Sequence, residues 1–308
     1  MRKVTLGRSG LEVTPICFGC WQMGQTYWGR QPEDLLTDAV RTALELGVNF
    51  FDTADAYGDG EAEHILGKAL KGVKREDVVV ATKVYHHFYE DGRRHPDLSA
   101  DYIPKACDAS LKRLGLDYLD LYQAHAFDPL TPMEETAAAF ERLKEVGKIR
   151  AYGVSNLTVE QVRTARTYGD YDTIQPRYSL LGREIENDLL PYCHRHNVGV
   201  LVYSSLMRGV LTGKFKGDET FDDLRGNDPM FKGEAFRSMI AKVEKLRPMA
   251  EAKGCTMTQL SLAATLMHPS IHCAITGIKS PEQIRDCAGA ADVQISREEY
   301  HAIRATLS

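Results

Sequence analysis

The chain has 308 residues, 43% of them hydrophobic and 26% charged, with a formal charge of -5 at pH 7. That balance argues against nucleic acid as the main partner, because neutralising phosphates takes a concentrated basic face and no run of Lys and Arg supplies one. No apolar stretch is long enough to span a bilayer, and Met1–Leu6 lacks the apolar core of a secretion signal, so the expected location is the cytoplasm and no membrane partner is expected.

A short hairpin over residues 4–13, turning at Arg8-Ser9-Gly10, opens the chain. Apolar β-like runs follow at 16–19, 50–52, 78–83, 119–123, 149–155, 173–175, 199–203 and 271–276. Amphipathic helical periods lie between them at 33–46, 62–70, 103–114, 132–146, 159–167 and 189–196. Pro132 suits an early helical position, and Gly47, Gly72, Gly115 and Gly147 suit helix ends. Alternating β and α repeats with short connections predict an α/β fold, a parallel (β/α)8 TIM barrel over 1–308 as one domain. One long irregular segment, 204–233, follows the seventh strand. Such loops usually carry function, and in barrels the loops after strands seven and eight often hold phosphate.

The seven cysteines are scattered and odd in number. Cys17 and Cys20 form a C-x-x-C, yet a buried strand sends positions three apart to opposite faces and no second pair completes a zinc site. Buried thiols are expected.

Barrel chemistry sits at the C-terminal strand ends. The sequence puts Asp52 there with Tyr57 just beyond it, Lys83 closing the third barrel strand and His125 just past the fourth. Singly, each has an ordinary explanation: a turn cap, a loop anchor, a surfacing cation, a satisfied polar group. Together, on three adjacent strands, they point to proton chemistry. Carbonyl reduction needs a proton donor beside the oxygen that becomes negative, and a free Tyr, with a pKa of about 10, gives up its proton reluctantly. A buried Lys favours the phenolate and should lower that value, while Asp keeps the Lys charged and oriented. The imidazole is suited to holding the substrate oxygen.

The segments Phe51-Asp52-Thr53-Ala54-Asp55-Ala56-Tyr57-Gly58, Ala81-Thr82-Lys83 and Asp120-Leu121-Tyr122-Gln123-Ala124-His125 resemble the catalytic motifs of the aldo-keto reductase superfamily. So do Gly153-Val154-Ser155-Asn156, Gln175 before Tyr178-Ser179-Leu180-Leu181, and Tyr203-Ser204-Ser205-Leu206. The resemblance runs nearly end to end, and Asp223-Leu224-Arg225 with Phe231-Lys232-Gly233 is typical of bacterial members of the inositol-dehydrogenase and general-stress kind. It implies a barrel that binds NADP(H), or NAD(H), without a Rossmann motif, with Tyr57 as general acid/base, Asp52 and Lys83 tuning it, and His125 orienting substrate. It further implies that Ser155, Asn156 and Gln175 hold the carboxamide, that Tyr203 stacks on the nicotinamide, and that Trp21 and Asp52 border it. Ser204, Leu206, Gly209, Lys214 and Arg225 would cross the pyrophosphate, and Gly277, Lys279, Gln283, Asp286 and Cys287 would hold the adenosine end. Lys279, just before a helix start near Pro281, is placed to meet a 2′-phosphate, which favours NADP(H).

Three departures from the family pattern bear on the cofactor. Asp286-Cys287 stands where Glu-Asn is common, removing an amide that contacts adenine. Ser205 and Thr276 stand where proline is common.

For substrate, Trp21, Tyr57, Tyr85, His125 and Phe127 are expected to line the mouth, with Tyr27, Trp28 and Phe88 as further aromatic candidates and His86 and His87 beside them. This mixture suits a sugar, which stacks its apolar face and hydrogen-bonds its rim, and it also suits an aryl aldehyde; the expected partner is a small-molecule carbonyl or polyol. His86-His87 with His95, or His194 with His196, raises the question of a metal; the second pair, two apart on a helix, cannot share a face, and no metal is expected. Two alternatives stay open: an NAD-dependent polyol or inositol dehydrogenase, and a nucleotide-binding sensor subunit of the same fold.

Overall fold

A computed structural model describes residues 1–308. Strands β1 (Val4–Thr5) and β2 (Glu12–Val13) pair antiparallel as the opening hairpin. Gly7 turns it at φ +55°, and a Cβ there would come within 2.2 Å of the Gly199 backbone nitrogen. Only glycine allows that approach.

The barrel strands follow: β3 (Ile16–Gly19), β4 (Phe50–Asp52) and β5 (Val79–Val84). An outlying antiparallel pair, β6 (His86–Phe88) and β7 (Arg94–Pro96), comes next. Then come β8 (Leu119–Ala124), β9 (Ile149–Ser155), β10 (Thr173–Gln175), β11 (Gly199–Val202) and β12 (Cys273–Gly277). The order β3-β4-β5-β8-β9-β10-β11-β12 closes on itself with every barrel pairing parallel, the eight-stranded barrel expected from the repeats. Strand ends differ from expectation by no more than two residues; the β6–β7 pair was not foreseen.

Helices α1 (Glu33–Glu45), α2 (Glu61–Ala69), α3 (Tyr102–Leu114), α4 (Met133–Glu145), α5 (Val159–Tyr168) and α6 (Leu189–Arg195) match the six helical periods. Pro132 is the residue just before α4, and all four helix-end glycines take positive φ. Five more complete the chain: α7 (Gly233–Glu244), α8 (Arg247–Ala252), α9 (Met257–Leu266), α10 (Pro281–Gly289) and α11 (Arg297–Leu307). Capping boxes open α5 (Thr158 with Gln161), α9 (Thr256 with Gln259) and α11 (Ser296 with Glu299), each pairing two otherwise orphaned amides. Ile303 and Leu307 of α11 join a second core with Phe236 and Ile240, and Arg304 grips Glu186 with both terminal nitrogens at 2.6 Å. The C-terminal helix is therefore anchored in this second core.

Strand alternation sorts the barrel into two faces. Phe51, Val80, Tyr122, Tyr152 and Ile174 pack outward beneath the helices. Phe50, Ala81, Leu121, Ala151, Leu201 and Ile275 fill the lumen, plugged from below by Leu6, Leu11 and Val13 of the hairpin. Two residues on from Phe50, Ala81, Leu121 and Leu201, toward the C-terminal rim, the same parity delivers the polar side chains of Asp52, Lys83, Gln123 and Tyr203.

Candidate active site

That parity turns Asp52 (from Phe50), Lys83 (from Ala81) and Gln123 (from Leu121) into one layer, and Lys83 is the register partner of Gln123. Ser155 and Gln175, also register partners, close it on the far side. All five are buried. Tyr57 reaches the layer from the turn after β4, where Gly58 (φ +64°) abuts Gly24 so closely that a Cβ would meet its carbonyl oxygen at 2.4 Å. This contact seats the first loop over the mouth, with Trp21 at 6.3 Å from the Tyr57 ring and Trp28 edge-on to Trp21 at 5.4 Å.

The Lys83 ammonium donates to Asp52 Oδ1 at 2.6 Å, to the Thr53 carbonyl at 2.8 Å and to the Tyr57 hydroxyl at 3.3 Å. Burial pushes Lys83 down, but Asp52 and Tyr57 more than offset it, so the ammonium is held above its ordinary value. The expected lowering of Tyr57 is not what the structure gives. Burial dominates, Lys83 opposes it, Asp52 reinforces it, and the phenol is pushed up to about 12. A low-dielectric site penalises the phenolate more than one nearby ammonium rewards it. His125 stands edge-on to Tyr57 at 5.8 Å. Burial, then the Lys83 charge, holds it well below the usual imidazole range, so it is neutral.

Across the lumen, Gln175 Nε2 donates to Asp52 Oδ2 at 2.8 Å, and Ser155 Oγ donates to the Gln175 carbonyl at 2.8 Å. Asn156, in the left-handed region at φ +60°, bridges two site residues. Its Nδ2 donates to the His125 carbonyl at 2.9 Å and its Oδ1 accepts from the Tyr203 hydroxyl at 2.8 Å. The residues expected around a carboxamide thus converge.

After Tyr203 the backbone curls through positive φ at Ser204, Met207, Arg208 and Gly209. Arg225, paired with Asp223, faces the rings of Phe221 at 4.2 Å and of Trp28 at 5.5 Å. Burial and then the Arg225 and Lys279 charges push Lys214 down; burial does the same to Lys279, with Asp223 opposing. Lys214, Arg225 and Lys279 therefore form a cationic cluster with Asp223 as its neighbouring carboxylate, beside the N-terminus of α10, where Ser280 caps and Gln283 Oε1 accepts from the Lys279 amide at 2.8 Å. Such a donor set suits a diphosphate. Leu206 lies half-buried at the start of the curl. Gly277 borders Gln22, whose amide a Cβ at 277 would strike at 2.1 Å.

Two expectations change. Cys287 is 4% exposed and packs into the core behind α10, which leaves its thiol no face for an adenine. Asp286 accepts from the Thr256 hydroxyl at 2.7 Å through one oxygen, which ties its side chain to the start of α9. Trp28, edge-on to Trp21, is also tied to the cationic cluster, since Lys279 donates to its carbonyl and Arg225 faces its ring. Tyr27 stands beside Trp21 at 6.0 Å, and the Tyr85 hydroxyl donates to the Phe127 carbonyl at 3.3 Å. His86 and Phe88 lie on β6, His86 edge-on to Tyr85 at 4.9 Å. The sequence reading missed Gln123 and Gln22. Gln123 is buried with both amide atoms unpartnered, and Gln22 with its oxygen unpartnered. For Gln123 the signal was available, as it shares the lumen parity of Leu121.

The profile described as "Aldo/keto reductase family" matches residues 15–308. The aldo-keto reductase YhdN of Bacillus subtilis is 38% identical over 312 residues, covering 100% of this chain and 94% of its own. The NADH-specific methylglyoxal reductase of Escherichia coli is 35% identical over 310 residues, covering 96% and 95%. Among solved structures, the glycerol dehydrogenase of Gluconobacter oxydans superposes with a TM-score of 0.89 at 34% identity over 96% of this chain and 92% of its own. An aldo/keto reductase from Klebsiella pneumoniae, solved with NADP and acetate, superposes with a TM-score of 0.79 at 31% identity over 99% and 95%.

Proposed function

The chain belongs to the aldo/keto reductase family and is an NAD(P)H-dependent oxidoreductase, and from that premise we propose that it reduces small aldehydes, ketones or sugar carbonyls, with Tyr57 as proton donor and NADP(H) preferred. The observation that carries the reading is the Lys83 ammonium set between Asp52 at 2.6 Å and the Tyr57 hydroxyl at 3.3 Å.

When bound, the reduced nicotinamide supplies a hydride to the carbonyl carbon. Tyr57 gives its hydroxyl proton to the carbonyl oxygen, and Lys83 stabilises the phenolate left behind. Because burial makes that phenolate costly, the adjacent ammonium is what keeps proton transfer accessible. Neutral His125 donates one hydrogen bond to the substrate oxygen and fixes its orientation without adding a second cation beside Lys83. Ser155, Asn156 and Gln175 hold the carboxamide, and Tyr203 backs the ring. The cationic strap of Lys214, Arg225 and Lys279 favours a phosphate-bearing occupant of the groove, and the buried, unpartnered Gln22 oxygen favours one that brings a hydrogen-bond donor. Lys279 at the α10 N-terminus supports a 2′-phosphate and hence NADP(H). The glycerol dehydrogenase and methylglyoxal reductase among its relatives support a small polyol or oxo-aldehyde substrate. The name of the latter also keeps an NADH-linked reading alive.

The test is separate titration with NADPH and NADH, read by quenching of Trp21 and Trp28 fluorescence, followed by turnover on a panel of aldehydes, ketones, sugars and polyols. Tight NADPH binding with turnover cut by roughly 10²- to 10⁴-fold in Tyr57→Phe is expected. Turnover that survives Tyr57→Phe overturns the assigned donor, and tighter NADH binding overturns the cofactor preference.

A further inference from the structure

The excursion between β5 and α3 folds as the β6–β7 ladder, in which His87 lies directly opposite His95. Directly paired residues project from the same face. Asp97, one residue past β7, brings Oδ2 to 2.9 Å from His87 Nδ1. One ligand atom from each of the three lies within 4.8 Å of the other two. Two imidazoles and a carboxylate are donors that first-row divalent ions accept readily, with a further position left for water.

The local packing prepares this set. The His87 ring stacks nearly parallel on Tyr102 at 4.3 Å and on Tyr89 at 4.7 Å. Stacking fixes the plane of its ring and leaves the ring edge, where the nitrogens are, free of that contact. Asp97 Oδ1 accepts from the Ser99 amide at 3.0 Å, which orients the carboxylate and leaves Oδ2 turned to His87. His95 is held by stacking alone, 5.2 Å from His87 and 5.4 Å from Tyr89. Turning its ring edge-on to an ion gives up only that contact.

We propose that His87, His95 and Asp97 bind a divalent first-row transition-metal ion of the Zn²⁺ or Ni²⁺ class at the outer edge of the barrel mouth. The ion takes the place of the hydrogen between His87 Nδ1 and Asp97 Oδ2, and the neutral imidazole then carries its one N–H on Nε2. Its role is to clip the ladder, not to act on substrate. The clip reaches the mouth through the Asp97 amide, which donates to the Tyr85 carbonyl at 2.8 Å, and through Arg94, paired with Asp59 at 3.1 Å. This departs from the expectation that the chain binds no metal.

The experiment is calorimetric titration of the full-length, tag-free protein with Ni²⁺ and Zn²⁺, with Cu²⁺ electron paramagnetic resonance to count nitrogen ligands. Expected are about one ion per chain, a two-nitrogen signature, and affinity lowered roughly tenfold or more in each of His87→Ala, His95→Ala and Asp97→Asn. His301→Ala, exposed on α11, serves as the control and should leave binding unchanged. Unchanged NADPH titration and circular dichroism show that a variant is folded. The proposal is overturned by absence of stoichiometric binding, or by an ion whose affinity is the same in all three folded variants. Neither result bears on the reductase reading, which is measured by turnover.

Discussion

Gln175 and Asp52 meet across the barrel: the Gln175 Nε2 donates to Asp52 Oδ2 at 2.8 Å, from strands four places apart in a ring of eight. The other carboxylate oxygen of Asp52 accepts from Lys83 at 2.6 Å. One buried carboxylate thus ties the residue expected at the carboxamide to the ammonium that serves Tyr57.

Removing that charge should act on both sides. In Asp52→Asn, Lys83 becomes a buried cation without its counter-charge, which costs about 3–5 kcal/mol of stability. Denaturant midpoints should fall at unchanged slope, and nicotinamide affinity should weaken along with turnover. The double variant Asp52→Asn/Lys83→Met should recover most of the stability and none of the activity. An Asp52→Asn protein as stable as the parent would mean that the pair is not buried as described.

The pH dependence follows from the Tyr57 value of about 12, raised by burial. The phenol keeps its proton through neutrality, so reduction should be flat over about pH 6 to 9. The reverse oxidation, which needs the phenolate, should accelerate as pH rises toward that value. His125, driven well below the imidazole range by burial and then by Lys83, should contribute no inflection near neutrality. Because the folded state holds the Tyr57 proton more tightly than the unfolded chain, this group's contribution to stability is complete below about pH 10 and is lost as pH climbs toward 12. Initial rates in both directions and denaturant midpoints across that range check each sign.

Cofactor choice should separate by residue. Lys279→Met should raise the NADPH dissociation constant roughly tenfold to a hundredfold, the worth of one charge-assisted hydrogen bond of about 1.5–3 kcal/mol, with a smaller effect on NADH. Arg225→Ala, which removes the group facing Trp28 and Phe221, should weaken both nucleotides alike. Equal losses for both nucleotides in Lys279→Met would reassign the 2′-phosphate contact.

The barrel floor offers a test independent of chemistry. Leu6 is fully buried in the lumen cluster with Phe50 and Leu201. Leu6→Ala should cost about 2–5 kcal/mol, read from denaturant midpoints, while nucleotide affinity at the opposite rim is preserved. A cost under about 1 kcal/mol would mean that the hairpin plug packs loosely.

Much of the scaffold was legible because strands and most helices announce themselves by period. The misses have physical causes. Helix α9 is buried on nearly every side, from Met257 through Thr265, so it carries no polar face to mark its period; only the Thr256/Gln259 capping box signals its start. The β6–β7 pair is short and built from His, Phe, Arg and Pro, with no apolar alternation to read. Cys287 and Asp286 sit one residue apart on α10 at positions where the family motif suggested ligands, but their helix face turns one into the core and gives the other to Thr256.

By itself, the sequence determined the repeat of strand and helix, the parity that turns Asp52, Lys83 and Gln175 inward, and the identity of the groups at the strand ends, because these depend on local period and residue type. Tertiary structure alone decided how those groups influence one another. Whether Lys83 lowers Tyr57 depends on how much water is excluded around the phenol, and whether His87, His95 and Asp97 converge depends on the register of a two-stranded ladder. Burial and register are properties of chain segments brought together from a distance, and no window of sequence contains them.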